Sequence, residues 1–293
     1  MNIVVCLHFF PDPNIISFDD GRIDPEDLIY TVHPSDLVAV EAAVSLKEKN
    51  GSGKVFLVAL SSPAAENLIR HCLSRGADEA TLIESTINNV DGYSMAVLLA
   101  AWCRTMNIDL ILCGHGSMDN FGGQTGYVMA DRLNLPIVSR VTKLDLLMEK
   151  KELVLEKKLE GGYRERSVLP LPALLTLEES LNEPRYATLP GLLCAQEAEI
   201  RRKKEIELNL TPEDTPGQAR VELLNMKKPK PRPKKIFTPD TTLSAEDRMW
   251  QIMSGGLAEK NKECFEGSPE ELGRKFLEYL TQLGLSLPNR DGP

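Results

Sequence analysis

The densest group of residues able to do chemistry is the run Gly114-His115-Gly116-Ser117-Met118-Asp119-Asn120-Phe121-Gly122-Gly123-Gln124-Thr125-Gly126. Glycines let a backbone come close to a phosphate, and a helix opening after them offers amides and positive potential to it. Gln124 and Thr125 add an amide and a hydroxyl. The spacing is neither the GxGxxG dinucleotide fingerprint nor a P-loop, because no Gly-Lys-Ser/Thr follows. Two readings stay open on these residues: a phosphate cradle, or a tight strand-to-helix turn. Asp119 is open in the same way, as a ligand contact or as a helix cap.

Bond-making chemistry finds little support. The four histidines, His8, His33, His71 and His115, pair with no Cys, Ser or carboxylate at a recognised nucleophile or metal spacing. His8 and His33 are expected at the same sheet edge as the glycine run, as ligand contacts or solvated loop residues, and His71 is expected to be structural. Cys6, Cys72, Cys103, Cys113, Cys194 and Cys264 are scattered, with no CxxC pair and no zinc spacing. Reduced, mostly buried thiols are the expectation. The polar cluster Glu183-Pro184-Arg185-Tyr186 reads equally as a contact surface or a structural brace.

The elements that must position the glycine run follow from periodicity. Residues 3–10 form a continuous apolar run, as in a strand covered on both faces. Residues 11–31 are rich in Asp, Pro and Gly and predict a loop or small hairpin above the sheet. Leu37, Val40, Ala43, Val44 and Leu46 recur at helical spacing over 34–49, with Pro34 in the first turn. Strands at 54–60, 80–84 and 110–113 then alternate with helices at 63–74, 92–105 and 123–133. This alternation predicts an α/β fold with a doubly wound, mostly parallel sheet whose right-handed crossovers cover both faces. Ligands of such sheets bind beyond the C-terminal ends of the strands. The loops after Cys6, after Ala59 and after Cys113 are therefore the candidates.

After Pro136 the pattern changes to short alternating strands at 138–145, 153–159, 164–168 and 173–176, with Gly161-Gly162 turning between the second and third. From Ala198 the chain is charged and poor in aromatics, so no core is expected there, and Lys227 to Lys235, interrupted by prolines, predicts an extended linker. Two capped amphipathic helices close the chain, at 244–253 and 269–283. The expected organisation is a nucleotide-binding α/β domain over 1–197, a linker over 198–242 and a helical arm over 243–293 that docks on a partner.

Of the 293 residues, 42% are apolar, which suits a globular protein, and no apolar run approaches the roughly 18 to 20 residues of a membrane span. A net charge of −9 argues against a general nucleic-acid binder. The N-terminus lacks a basic region and a cleavage site, so a cytoplasmic location is expected.

One stretch carries a family likeness. Leu181-Asn182-Glu183-Pro184-Arg185-Tyr186-Ala187-Thr188-Leu189-Pro190 resembles a conserved segment of the beta (small) subunit of electron transfer flavoproteins nearly letter for letter. Glu160-Gly161-Gly162, Leu171 to Thr176, Pro34 to Glu41, Arg75-Gly76-Ala77-Asp78, and Asp119 with Gln124-Thr125-Gly126 extend the resemblance over residues 1 to about 197. It implies an adenine nucleotide alpha hydrolase-like fold and an electron carrier rather than an enzyme. In that family an alpha subunit holds the redox FAD and the beta subunit binds AMP, replaced by a second FAD in electron-bifurcating members. Electrons would come from acyl-CoA dehydrogenase-type flavoenzymes and pass to a quinone-linked oxidoreductase at the membrane.

Carried over residue by residue, the resemblance puts the nucleotide against Cys6, His33, Pro34, Ser35, Asp36, Ser61, Gly114, Asp119, Gly122, Gly123, Gln124, Thr125 and Gly126. It puts partner docking on the short loop 187–194, at Ala187, Thr188, Leu189, Pro190 and Leu192. The sequence departs from the family at several of these places. His33 stands for an Asn, His115-Gly116 for a Lys- or Arg-Gln pair, Lys158 for a Glu, and Asp119-Asn120-Phe121 shortens an acidic run. These leave AMP or FAD open, while Gln124-Thr125-Gly126 leans towards AMP. Readings from other classes are an ATP-binding stress-type protein, which needs a loop able to hold a triphosphate, and an NAD(P)-linked oxidoreductase, disfavoured by the missing GxGxxG.

Overall fold

The computed structural model describes residues 1–12, 14–15, 28–60, 65–84, 91–116, 122–147, 149–208, 210–211, 214, 242–253 and 267–282. They belong to two compact units, Met1–Lys228 and Pro229–Pro293. Ser61, Asp119, Cys264 and the basic run 227–235 lie outside the described residues.

The first unit runs β1 (Asn2–Leu7), β2 (Phe9–Pro11), β3 (Tyr30–Val32), α1 (Pro34–Asn50), β4 (Lys54–Leu60), α2 (Glu66–Leu73), β5 (Glu79–Glu84), α3 (Gly92–Arg104), β6 (Leu110–Gly114) and α4 (Thr125–Leu133). It continues with β7 (Ile137–Leu147), β8 (Glu152–Lys158), β9 (Arg164–Pro170), β10 (Ala173–Leu177), α5 (Leu189–Glu197) and β11 (Ile200–Lys204). Nine strands form one sheet in the order β11-β5-β4-β1-β6-β10-β7-β8-β9. The seven strands from β11 to β7 are parallel, and the β7-β8-β9 end is antiparallel. The expected doubly wound α/β sheet is present.

Side-chain alternation along β1 creates the layers. Ile3, Val5 and Leu7 enter a core with Ala39, Val40, Ala43 and Val44 of α1 and Ile69 of α2. Val4 and Cys6 enter a second core with Leu98, Leu99 and Trp102 of α3 and Met129 of α4. From β1 the chain winds outward through β4 to β5, then returns to β6 on the other side of β1. The crevice between the C-terminal ends of β1 and β6 is therefore the switch point at which open α/β sheets hold ligands.

Four sequence expectations change. The single strand over 3–10 is broken at His8, with β2 pairing β3 in a separate antiparallel ribbon. The break has a cause: the His8 N–H donates to the Asp36 carboxylate at 2.7 Å instead of continuing the ladder. Second, the stretch expected as the last short alternating strand is β10, inserted in the parallel sheet between β6 and β7. All five of its residues are buried, as a strand covered on both faces requires. Third, the sheet continues past the expected domain end at residue 197. β11 pairs in parallel with the edge of β5, Ile200 and Leu208 are buried, and Asp214 is held by Arg104 at 2.6 Å and Thr211 at 2.7 Å. Its charged side chains do not prevent this, because Arg201 reaches Glu79 on β5 and Arg202 reaches Glu66 at the start of α2. Fourth, the expected docking loop 187–194 is mostly helix α5, opened by Thr188 accepting the Gly191 N–H at 3.2 Å with a proline in the first turn.

The second unit contains α6 (Ala245–Met253) and α7 (Pro269–Gln282). Both begin with the expected reciprocal caps, Ser244 with Asp247 and Ser268 with Glu271. Met249, Trp250 and Ile252 on α6, and Phe276, Leu277 and Tyr279 on α7, are exposed. No described helix is long and apolar enough to cross a membrane.

Candidate functional site

Asp36 organises the switch point. It lies in the first turn of α1 and is buried. One carboxylate oxygen accepts the His8 N–H where β1 ends, and the other accepts the Gly114 N–H at 3.0 Å where β6 ends. A single side chain thus bridges the two strands that flank the crevice. Burial pushes its carboxyl above the usual Asp value, against the two backbone donors and the charges of His8 and His33. Gly114 is required by this packing: a Cβ there would stand 2.3 Å from Asp36 Oδ1 and 2.4 Å from Ser35 Oγ.

His33 and Ser35 sit behind Asp36, both buried. His33 is the N-cap of α1, its Nδ1 accepting the Ser35 N–H at 3.2 Å and lying 2.5 Å from Ser35 Oγ. The Ser35 hydroxyl also lies 3.4 Å from the His115 carbonyl, tying α1 to the end of β6. Among the sequence-nominated residues, His33 and Ser35 thus back Asp36, which lines the cleft, while Pro34 is exposed in the first turn of α1. His115 is half-buried, its N–H donating to Leu177 O at 2.9 Å and its Nδ1 buried without a hydrogen-bond partner. Burial holds its imidazole below the usual His value.

The cleft over the crevice is lined by Cys6, Leu7, His8, Asp36, Gly114, Gly116, Gly123, Gln124, Thr125 and Gly126, with Gly92, Met95 and Leu99 from α3 and Cys113 from β6. Its empty space, open mouth included, is about 610 Å³. The sequence-nominated Cys6, Asp36, Gly114, Gly123, Gln124, Thr125 and Gly126 are brought together here, and Gly122 lies beside them on the chain, exposed. Gly92, Met95 and Leu99 were missed. The available signal was topological: a helix that follows a parallel strand starts at the strand's C-terminal edge, so α3 had to open on this cleft as α4 does.

Three helix N-termini meet at the cleft, and they are not equivalent. Asp36 lies in the first turn of α1, and Asp91 caps α3 by accepting the Ser94 N–H at 2.8 Å. The N-cap residue of α4, Gln124, places no side-chain bond on that helix's first amides. The helix lies close on the sheet, since a Cβ at Gly126 would meet Thr176 Cγ2 at 2.7 Å. The floor is apolar and sulfur-rich: Cys6 and Cys113 are register partners on β1 and β6, and Cys6 Sγ lies 3.9 Å from Met129 Sδ. Hydrogen bonding to Cys113 and burial push the Cys6 thiol well up, and burial pushes Cys72 up to about 12. Such thiols are packing groups, not nucleophiles.

The residues expected to dock a partner lie elsewhere in the unit. Of them, Leu189 is 69% exposed and Leu192 43%, both on α5, with Leu193 and Tyr186 exposed beside them. The Glu183–Tyr186 cluster contains a brace, with Arg185 Nε donating to Glu41 at 2.8 Å and Nη1 to Glu48 at 2.7 Å. Cys194 is exposed, while the other four described cysteines are buried. His71 stands in α2, away from the cleft.

Known proteins share this arrangement of sequence. A family profile of the electron transfer flavoprotein domain matches residues 22–211. The caffeyl-CoA reductase-Etf complex subunit CarD of Acetobacterium woodii is 33% identical over 217 residues, 73% of this chain and 82% of that protein. The electron transfer flavoprotein subunit beta of Bacillus subtilis is 32% identical over 217 residues, 73% of this chain and 83% of the relative. Protein FixA of Azotobacter vinelandii is 30% identical over 247 residues, 82% and 84% of the two chains. The chain belongs to the electron transfer flavoprotein family and is similar over most of its length to that family's beta subunits.

Proposed function

We propose that this chain is the nucleotide-holding subunit of a heterodimeric electron transfer flavoprotein, with AMP in the cleft between β1 and β6 and the redox FAD held mainly by an alpha subunit. The observation that carries the reading is the cleft at the switch point: bare glycine backbone, the amides of α4 without a side-chain cap from Gln124, and a buried, sulfur-rich floor. These suit one phosphate and one heteroaromatic ring. Gln124, Thr125 and Gly126 would hold the phosphate, and Cys6, Met95, Leu99 and Cys113 would face the ring. FAD in the complex supplies one- and two-electron redox chemistry. This chain's part is to hold the nucleotide, keep water from the buried crevice wall and present a docking surface.

Acyl-CoA dehydrogenase-type flavoenzymes are the proposed donors, docking on Leu189 and its neighbours, and a quinone-linked oxidoreductase at the membrane is the proposed acceptor. The arm 243–293 is proposed to cover its apolar helix faces on the alpha subunit, with 198–242 mainly linking after β11, in a cytoplasmic complex. A second reading puts a second FAD in place of AMP. His33 and His115, which depart from the family's usual residues at this cleft, leave that choice open. Coexpression with an alpha subunit, followed by counting released nucleotides, separates the two. One FAD and one AMP per heterodimer supports the first reading, two FAD the second, and no adenine nucleotide in this chain overturns both.

A further inference from the structure

Between the short turn Glu179–Leu181 and α5 the chain crosses residues 182–188 without helix or strand, yet it is pinned along its length. Asn182 Nδ2 donates to Val38 O at 3.1 Å. The Arg185 N–H donates to Glu41 Oε2 at 3.0 Å, and its guanidinium spans two carboxylates of α1: Nε and Nη2 to Glu41 at 2.8 and 3.0 Å, Nη1 and Nη2 to Glu48 at 2.7 and 2.9 Å. Ser45 donates to Glu41 at 2.8 Å, fixing the carboxylate that Arg185 grips. The Arg185 carbonyl accepts Arg75 Nε at 3.1 Å.

The far side of the segment is fixed as well. A Cβ at Gly191 would lie 2.4 Å from Ser74 O, so α5 sits directly on the end of α2. Arg70 Nη1 donates to the carbonyls of Ala195, Gln196 and Ala198 at 2.7, 3.1 and 2.8 Å, closing the C-terminus of α5. Against this rigid backing stand Tyr186, Leu189, Leu192 and Leu193, all exposed. Clustered exposed apolar side chains mark an interaction surface, and fixing them beforehand removes the ordering cost of binding.

We infer that Arg185 is a positioning residue for partner docking: its fork across Glu41 and Glu48 holds residues 186–193 in the one shape that presents Tyr186, Leu189, Leu192 and Leu193 together. The inference rests on the docking reading above. Glu41 and Glu48 are seven residues apart, about two helical turns, so they share one face of α1. Only a planar guanidinium spans both; a lysine ammonium reaches one at a time.

The test uses the coexpressed heterodimer and an acyl-CoA dehydrogenase as electron donor, with hydrogen exchange read in parallel. Arg185→Gln is expected to raise the KM for the complex about tenfold while kcat stays within roughly twofold, because contacts made on docking are lost and electron transfer is not. Amides 186–197 should exchange about tenfold faster over and above any change in β1 and β4, whose amides report global stability. Arg185→Lys should fall between, with bound flavin equal in all variants. Glu48→Gln, which leaves the Glu41 contacts, should raise KM roughly two- to threefold and decides the matter if Arg185→Gln does not fold. Unchanged exchange at 186–197 overturns the inference. So does faster exchange with unchanged KM where Leu189→Ala raises KM. If Leu189→Ala leaves KM unchanged, or no such dehydrogenase reduces the wild-type complex, the docking reading fails first and the positioning role goes with it.

Discussion

Asp36 and Glu41 lie on the same helix, and both carboxylates are largely buried, but their surroundings differ. Asp36 is met by two backbone N–H groups and by no Arg or Lys, and burial keeps its carboxyl above the usual range. Glu41 is met by Arg185. Burial works against its charge too, but the guanidinium and backbone hydrogen bonds overcome it and hold the carboxyl below its usual value. Glu48 is held down by the same guanidinium, whose own proton is bound more tightly in return. Here two backbone donors do not offset the desolvation of Asp36, whereas the guanidinium offsets that of Glu41. The first arrangement suits a cleft that must receive a ligand, and the second suits a brace that must not move.

The largest effect is expected from Arg185→Ala, which strands the mostly buried Glu41 carboxylate and should lower stability by roughly 2 to 3 kcal/mol at neutral pH in urea unfolding, less than for a fully buried pair because Arg185 is partly exposed. Because the folded pKa values of Glu41 and Glu48 are depressed, their contribution is complete above the ordinary Glu value of about 4.3 and disappears as pH falls through the lowered values. The gap between wild type and variant should therefore narrow as the pH falls below about 4.3. A gap independent of pH would show that Asp36 and Glu41 are not electrostatically distinct.

Next in size is Gly114→Ala. Its methyl group meets Asp36 and Ser35, and the overpacking should lower stability by about 2 kcal/mol and abolish nucleotide retention on gel filtration. Asp36→Asn follows. The amide oxygen can accept from either His8 or Gly114, but its NH₂ then confronts the other donor, at a cost of about 1 to 2 kcal/mol. Its pH dependence has the opposite sign to that of Arg185→Ala. With a raised folded pKa, the stability Asp36 contributes is present at acid pH and lost as pH rises from about 3.9 through the raised value, so the difference from Asn should be larger near pH 4 than near pH 7. Equal or reversed slopes in calorimetric scans would erase the contrast. His33→Ala, which removes the cap of α1, should be smallest at about 1 kcal/mol, and His33→Asn should recover most of it.

Much of this was legible in the sequence for local reasons. The alternation of apolar runs with helical periodicity gave the parallel sheet, and the Gly114–Gly126 run follows a buried strand and enters a helix, as read. The reciprocal caps at Ser244 and Ser268 are three-residue patterns, visible without any tertiary knowledge. Thr188-Leu189-Pro190 carries a similar helix-start signal for α5, although the resemblance implies a short loop there. β10 was misplaced for a different reason: its residues fit any buried strand, and its seat between β6 and β7 depends on which edge was free.

By itself, then, the sequence determined what depends on neighbours a few residues apart: the strands and helices of the α/β core, their caps, and the glycine run that opens α4. The tertiary structure alone decided that His8 ends β1, that Ile200–Lys204 adds a strand to β5, and that Asp36 and Arg185 do opposite work on one helix. Each of those outcomes pairs groups far apart in the chain, from 28 residues for His8 and Asp36 to 144 for Arg185 and Glu41. A carboxylate's partner at such a distance is set by which elements the sheet brings together, and no local pattern encodes it.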